Sequence, residues 1–170
     1  KLIVVFVLVA FCCAVSSAMT PARVREAMGA ERGVCVVLGE GSVDLAVALA
    51  RSDGVLVYTQ VADAEAFEAA CRKADEAGCY GTGVFLARGS LERLSLADNL
   101  ADVVVVLSGG TPPSEAELLR VLRPGGKVLF ESGRKTITKP FPKGVDDWSH
   151  PYHGPDNNPL SQDSLIRAPY

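Results

Sequence analysis

Aromatic residues are scarce in this sequence, at 6% of 170 residues with a single Trp. Their scarcity argues against the aromatic platforms on which single-stranded nucleic acids stack. An excess of basic residues is also missing, because the formal net charge is −3, so we expect no nucleic-acid partner. Apolar residues make up 48% and charged residues 22%, which argues against disorder and provides for the core of one main domain.

Cysteine is present, but not in a pattern that would build a disulfide framework or a zinc site. Cys12 and Cys13 lie in an apolar N-terminal segment, and the rest of the chain holds an odd number of cysteines without a CxxC pair. Cys35 lies within an apolar run and is predicted to be a small core residue. Cys71 and Cys79 could pair, although two free thiols are the simpler interpretation.

Residues 2–18 form an uncharged apolar segment. As a helix it would span about 26 Å, slightly less than a hydrocarbon core. Lys1 supplies a positive start, and Ser16 and Ala18 match the small residues that a signal peptidase recognises. We therefore predict a secretory signal peptide over residues 1–18, which would place the rest in the periplasm or outside the cell. An uncleaved membrane anchor, favoured by the arginines that follow, and a buried core segment are the alternatives.

Short apolar runs alternate with helical patterns over the next part of the chain. The predicted helices are 20–31, 43–50, 64–77 and 114–122, and the predicted strands are 33–39, 54–58, 83–87, 102–107 and 127–130. Such alternation indicates right-handed βαβ units and an α/β fold with a parallel sheet. Ser42 is expected to cap the second helix, and Ser114 with Glu117 has the spacing of a capping box.

From about residue 135 the sequence changes character and has no long periodic element. We therefore divide the chain into the N-terminal segment 1–18, an α/β domain 19–134, and a Pro-rich extended tail or linker 135–170. No residue after 131 has the pattern of a further strand pair.

A glycine-rich turn, Gly39-Glu40-Gly41, separates the first predicted strand from the helix that follows. In this arrangement the helix offers unpaired N–H groups to a nucleotide-like ligand, and glycines allow close approach. The third glycine of a dinucleotide fingerprint is missing, since its place falls near Asp44, and no GxxxxGK(S/T) motif is present. The spacing alone leaves a ligand-binding turn and a purely structural turn open.

Three segments resemble motifs of class I S-adenosylmethionine-dependent methyltransferases. Residues 36–42 (VVLGEGS) resemble the first motif, and residues 89–104 resemble the segment that leads into strand 4. Residues 119–130, with their Pro-Gly-Gly turn, are similar to the helix–turn–strand 5 motif, the most specific of the three. The resemblance covers about residues 33–131. It implies a Rossmann-like doubly wound sheet of about five parallel strands, and S-adenosylmethionine as cofactor.

The resemblance also implies where the cofactor would bind. The residues that would hold it are Gly39, Glu40, Gly41, Gln60, Ser90, Leu91 and Ser108. The two glycines would line its methionine end, Gln60 or its neighbour Thr59 would meet the ribose hydroxyls, Ser90 would lie by the adenine, and Ser108 would face the methyl group. No residue is singled out as a catalytic base.

The sequence departs from the family pattern at several positions. Val37 stands where an acidic residue is usual, Val43 replaces the third glycine, and Ser90 replaces an Asp on the adenine side. The ribose position, usually Asp or Glu, would have the amide of Gln60, whose hydrogen bond lacks the assistance of a charge. These changes predict a cofactor affinity weakened by about 1–3 kcal/mol. The antiparallel strand pair that ends the family's sheet is not evident either.

The tail segment 146–158 contains both histidines. His150 and His153, with the nearby Asp side chains, could bind a metal, but Pro151 argues against a helix that would align them. A polar and aromatic docking segment is the simpler interpretation. The segment resembles the lead-in to the β-propeller of exported PQQ-like repeat proteins, which implies a C-terminal propeller as a neighbouring domain.

Two functions remain open, and a third is less favoured. One is an S-adenosylmethionine-dependent methyltransferase-like domain, active or with its activity lost. The other is an exported, non-catalytic scaffold beside a β-propeller, because S-adenosylmethionine is a cytoplasmic cofactor and export would separate the domain from it. A dinucleotide-dependent oxidoreductase is third, since the third glycine and the ribose-binding acid are missing.

Overall fold

The structure is a computed structural model that describes residues 19–52, 54–133, 136–146, 151, 155 and 160–165. The predicted signal peptide and both histidines lie outside the described residues. Within these ranges, no helix combines the length and the apolar character needed to cross a membrane.

Helices and strands alternate along the described chain, as the sequence predicts. The helices are α1 (Pro21–Met28), α2 (Ser42–Ala50), α3 (Ala64–Glu76) and α4 (Glu115–Val121). The strands are β1 (Gly33–Leu38), β2 (Val55–Val61), β3 (Val84–Arg88), β4 (Ala101–Val106), β5 (Leu122–Phe130) and β6 (Ile137–Thr138). The predicted α/β class is therefore confirmed.

The strands form one sheet in the order β3-β2-β1-β4-β5-β6. Strands β1 to β5 pair in parallel, which confirms the predicted doubly wound sheet of five parallel strands. Strand β6 is antiparallel to β5 and pairs Lys127 with Thr138 and Val128 with Ile137. The sheet thus continues into the segment predicted as an extended tail. With two residues, β6 is too short for a sequence pattern to indicate it.

Each face of the sheet carries its own core. Side chains of α1, α2 and α3 cover one face, and α4 with the loop before β4 covers the other. Cys35 lies fully buried in the first core, and burial raises the pKa of its thiol to about 12, so it stays neutral. Its prediction as a core residue is confirmed. Cys71 and Cys79 are free thiols in this structure.

Two predictions of how helices begin need correction. Gly41, not Ser42, is the N-cap of α2; Ser42 lies inside the helix, buried, where its hydroxyl accepts a hydrogen bond of 3.0 Å from Thr59 Oγ1. Ser114 does cap α4 by accepting from the backbone N–H of Glu117. The Glu117 carboxylate, however, accepts from the backbone N–H of Leu94 and pairs with Arg120, so only half of the capping box forms.

The connection between β3 and β4 contains no helix. Leu94, 2% exposed, inserts from this loop into the core beside α4. Glu117 accepts from its backbone N–H at 2.7 Å, while Arg120 donates to its carbonyl at 3.0 Å. The hydrogen bond from Arg120 is the main reason that the pKa of Glu117 is lowered. An ion pair on α4 therefore fixes a loop that has no helical hydrogen bonds of its own.

Candidate functional site

The turns that follow β1 and β4 meet at the carboxyl edge of the sheet. The backbone N–H of Glu40 donates to the carbonyl of Ser108 at 3.1 Å, and Leu107 N–H donates to Leu38 at 2.8 Å. Gly39 has a φ of +106°, and a Cβ there would lie 2.7 Å from the Leu107 carbonyl oxygen. Because β1 and β4 belong to the two halves of the sheet, this junction is the switch point where α/β folds bind ligands.

Gly41 differs from Gly39 in its surroundings. Its φ is +72°, but no atom lies within 4 Å of the position that a Cβ would take. It is the N-cap of α2 and makes no side-chain capping bond, whereas the other described helices are capped by Thr20, Asp63 and Ser114. The first turn of α2 therefore opens onto free space. Ser42 and Asp44 already donate their N–H groups to the carbonyls of Gly39 and Gly41, which leaves the Val43 N–H for a ligand.

A groove of about 330 Å³ lies above this open turn. Its lining consists of Gly39, Glu40, Gly41, Ser42, Val43, Asp44, Val61, Ala66, Ala69, Ala70 and Lys73. The three alanines leave room between α3 and α2, and the volume falls in the range of small-molecule sites. Lys73 pairs with Asp44 across the groove. Both side chains are more than half exposed, so the pair contributes little to stability and a charged ligand group could replace either partner.

Gln60 does not reach this groove. It is 3% exposed, its amide nitrogen donates to the carbonyls of Ser90 and Arg93, and its amide oxygen accepts from Tyr58 and Ser95. With both donors and both acceptor positions in use, it has no capacity left for a ribose hydroxyl. The assignment of Gln60 as a direct ligand of the cofactor does not fit this geometry.

Val61, and not Gln60, is the residue at the end of β2 that lines the groove. The predicted second strand ends at residue 58, but β2 continues to Val61, whose side chain lines the groove. The shift of three residues matters because side chains alternate between the two faces of a strand. The groove therefore has an apolar side chain at the end of β2, where the family usually has a carboxylate.

Ser90 and Leu91 lie in the loop after β3 and do not line the groove. The Ser90 carbonyl accepts from Gln60 at 2.6 Å, and its hydroxyl accepts from the backbone N–H of Glu92 at 3.1 Å. Leu91 is half-buried and packs against the core on the α4 side. The loop nevertheless begins beside the groove, because the N–H of Gly89 donates to the Val61 carbonyl at 3.0 Å.

Ser108 borders a second, smaller cavity of about 150 Å³ at the ends of β4 and β5. Its remaining lining comes from Val106, Leu107, Gly109, Gly110, Pro112, Phe130 and Ser132. The backbone N–H of Ser108 donates to the Glu131 carboxylate at 2.8 Å, so this turn is held by β5 as well as by β1. The predicted residues thus fall into four places: the groove, the buried part of β2 that holds Gln60, the loop after β3, and this cavity.

The sequence analysis missed four residues at this edge: Asp44, Val61, Lys73 and Glu131. A signal for one wall was present, because residues 66, 69, 70 and 73 recur at helical spacing, and three alanines followed by a lysine mark one face of α3. No group of three or more His, Cys, Asp or Glu in the described part of the chain could hold a metal ion. The histidine segment considered for that role lies outside the described residues.

The two glycines of the turn should differ in what they tolerate. Gly41→Ala should cost about 1 kcal/mol of unfolding free energy, because only the left-handed backbone conformation opposes it. Gly39→Ala should cost about 3 kcal/mol, because its Cβ would also press on the Leu107 carbonyl. Urea unfolding of both variants measures the difference, and equal costs would contradict the junction described here.

Comparison with known proteins identifies the fold. No protein-family model and no curated protein matches this sequence, but 216 chains of solved structures match the fold. A SAM-dependent methyltransferase from Aquifex aeolicus aligns with 65% of this chain and 62% of its own length, at 20% identity and a TM-score of 0.55. A methyltransferase from Geobacter sulfurreducens, in complex with S-adenosylhomocysteine, aligns with 65% of this chain and 46% of its own, at 25% identity and a TM-score of 0.52.

The same fold also occurs in a protein named for another reaction. The cyclase SpnF aligns with 64% of this chain and 42% of its own length, at 24% identity and a TM-score of 0.55. Fold alone therefore does not fix the reaction. In these alignments the chain spans between 42% and 62% of the length of each relative. The described domain has the Rossmann-like fold of S-adenosylmethionine-dependent methyltransferases.

Proposed function

We propose that this domain binds S-adenosylmethionine or S-adenosylhomocysteine in the groove between α2 and α3, with weakened affinity and with methyl transfer reduced or lost. The observation that carries the proposal is the open first turn of α2 at Gly41. A helix N-terminus without a capping side chain, beside the switch point of the sheet, is suited to a ligand that supplies the missing acceptor. The fold and the bound S-adenosylhomocysteine of the Geobacter relative support the choice of ligand.

The charges around the groove suit the methionine end of this cofactor. That end carries an ammonium group and a carboxylate. Glu40 and Asp44 offer carboxylates to the first, and Lys73 together with the first turn of α2 offers positive charge to the second. Ser108 and the cavity beside it would receive the methyl group and its acceptor. Methyl transfer to a well-placed nucleophile depends mainly on proximity, so the lack of an assigned base does not oppose this role.

Titration of the full chain with S-adenosylhomocysteine, followed by calorimetry, tests the proposal. We expect a Kd between micromolar and millimolar, and a Kd at least tenfold higher for Gly41→Val, because the side chain would fill the space above α2. Gly78→Val is the matched control: Gly78 has a φ of +69° and equally open surroundings, but lies after α3, away from the groove.

The control separates binding from folding. Both valine variants carry the same backbone strain, so they should lose similar stability while only Gly41→Val loses binding. A wild-type chain that is folded and binds nothing at millimolar ligand would exclude the groove as a cofactor site. Equal loss of binding in both variants would assign the effect to stability alone.

The second candidate is a non-catalytic scaffold, exported and attached to a β-propeller. The observation in its favour is Val61, an apolar side chain where the cofactor's ribose would need a polar partner. Residues 2–18 and the propeller-like tail segment support export and a neighbouring domain. In this case the fold persists as a rigid unit for docking, without its ligand.

The variant Val61→Asp distinguishes the two candidates. If the groove accepts the cofactor, the new carboxylate should meet the ribose hydroxyls and lower the Kd about tenfold, since a charged hydrogen bond contributes about 1.5–3 kcal/mol. Val43→Asp, on the same groove wall but in α2, is the control for added negative charge. No measurable binding in the wild type or in either variant favours the scaffold, whereas measurable binding with an unchanged Kd would place the ribose away from residue 61.

Export is tested on the chain itself. Expressed with its N-terminal segment in a bacterial host, the protein should appear outside the cytoplasm with Met19 as its first residue, because Ser16 and Ala18 form the cleavage signal. N-terminal sequencing and fractionation check this. Retention of residues 1–18 in the membrane fraction would support the anchor instead, and a full-length soluble protein in the cytoplasm would reject both.

A further inference from the structure

Gln60 makes a complete set of hydrogen bonds in the interior of the protein. Its amide nitrogen donates to the Ser90 carbonyl at 2.6 Å and the Arg93 carbonyl at 3.0 Å. Its amide oxygen accepts from the Ser95 N–H at 2.9 Å and the Tyr58 hydroxyl at 2.5 Å. Three of the four partners are backbone groups of a single loop, residues 90–95. One side chain on β2 therefore supplies this loop with hydrogen bonds of the kind that the backbone of a helix makes within itself.

The loop has a second attachment, but not at the same end. The Glu117–Arg120 pair on α4 holds Leu94 through its N–H and its carbonyl, and Arg120 also donates to the Leu96 carbonyl. Residues 90 and 93 have Gln60 as their described side-chain attachment. Loss of the Gln60 bonds should therefore release the end of the loop that follows β3, while Leu94 keeps the rest on the core.

The end that Gln60 controls is the end next to the groove. Gly89, which precedes the loop, donates to the Val61 carbonyl, and Val61 lines the groove. We propose that Gln60 is a positioning residue: it holds residues 90–93 in the conformation that receives the nucleobase of the ligand, without touching the ligand itself. This inference rests on the cofactor-binding function proposed above.

An amide is the side chain that this position requires. It supplies two donors and two acceptor positions at once, and a carboxylate supplies no donor. In Gln60→Glu the ionised side chain would face the carbonyl oxygens of Ser90 and Arg93. The new carboxyl should therefore have a pKa raised above its usual value of about 4.3, and in its protonated form it regains one donor. The defect should be small at low pH and should grow as the pH rises through that raised pKa.

The surroundings make this pH dependence interpretable. The titratable and charged groups on the elements packed around position 60 are Tyr58 on the same strand, Arg88 opposite Val61 on β3, Glu92 and Arg93 in the loop, and the Glu117–Arg120 pair on α4. Burial raises the pKa of Tyr58, so its hydroxyl remains a donor. The pKa of Glu117 is lowered and that of Arg120 is raised by their mutual hydrogen bond, so the pair stays ionised.

The experiment compares the full wild-type chain with Gln60→Glu and with Gln162→Glu, the same chemical change on an exposed tail residue. Amide hydrogen exchange of Gly89, whose N–H donates to the Val61 carbonyl at the end of the loop that Gln60 holds, reports the loop without any ligand. Calorimetry with S-adenosylhomocysteine and S-inosylhomocysteine, which differ only in the base, reports nucleobase recognition. At pH 8, Gln60→Glu should exchange the Gly89 amide at least about tenfold faster and lose most of the preference for S-adenosylhomocysteine. At pH 5 both effects should shrink, and Gln162→Glu should show neither.

Each contrary outcome has its own meaning. Faster exchange with an unchanged preference between the two ligands overturns the positioning role, since the loop would move without affecting the base. Unchanged exchange overturns it as well. Absence of binding in the wild type, with exchange still responding, removes the proposed cofactor function and with it the nucleobase role. If Gln60→Glu does not fold, Tyr58→Phe removes one of the four bonds without a charge, and should shift exchange and preference in the same direction by about two- to threefold.

Discussion

The structure depends first on the pairing of β1 with β4, because that pair joins two halves of the chain that are far apart in sequence. The register runs from Cys35 opposite Val103 to Leu38 opposite Val106. It continues past the strands into the turns, where Gly39 packs on Leu107 and the Glu40 N–H reaches the Ser108 carbonyl. A side chain at position 39 would separate those turns. The geometry of the carboxyl edge is therefore set by strand pairing and one glycine, before any polar group of the site contributes.

Polar side chains complete the fold where regular structure is missing. The sheet has no helix between β3 and β4, so the loop there must satisfy its backbone groups in other ways. Gln60 from β2 and the Glu117–Arg120 pair from α4 do so from two sides. An unsatisfied buried donor or acceptor costs about 1–3 kcal/mol. Moving either the side chains or the loop out of these hydrogen bonds is therefore unfavourable. A residue engaged in this way is not available as a ligand, whatever its position in a motif.

That distinction explains where the sequence analysis succeeded and where it failed. The βαβ alternation and the β-branched core of β4 determined the fold class, since apolar periodicity directly reflects burial. The glycine turn at residues 39–41 lies where the sequence predicts it for the same reason, because the strand before it and the helix after it have clear apolar patterns. The cofactor role predicted for Gln60 does not fit, because the predicted strand ends at residue 58 and so places Thr59 and Gln60 after it, whereas β2 runs to Val61. Both are buried in the strand, bonded to Ser42 and to the loop. Burial of a polar residue depends on partners distant in sequence, which no local pattern reveals.

Gly41 is the residue of the turn whose side-chain position is open, although its φ of +72° also favours glycine. Gly39 is needed for the junction, Gln60 for the loop, and Ser42 is bonded to Thr59. A side-chain cap stabilises a helix by about 1 kcal/mol, and Thr20, Asp63 and Ser114 supply such caps from extended backbone, whereas Gly41 has a φ of +72° that such a cap does not adopt. Glycine forgoes that stabilisation and leaves the space above the helix empty. A bound ligand would provide the missing cap, and for that reason the groove, rather than the smaller cavity at Ser108, is proposed as the place where this domain binds its ligand.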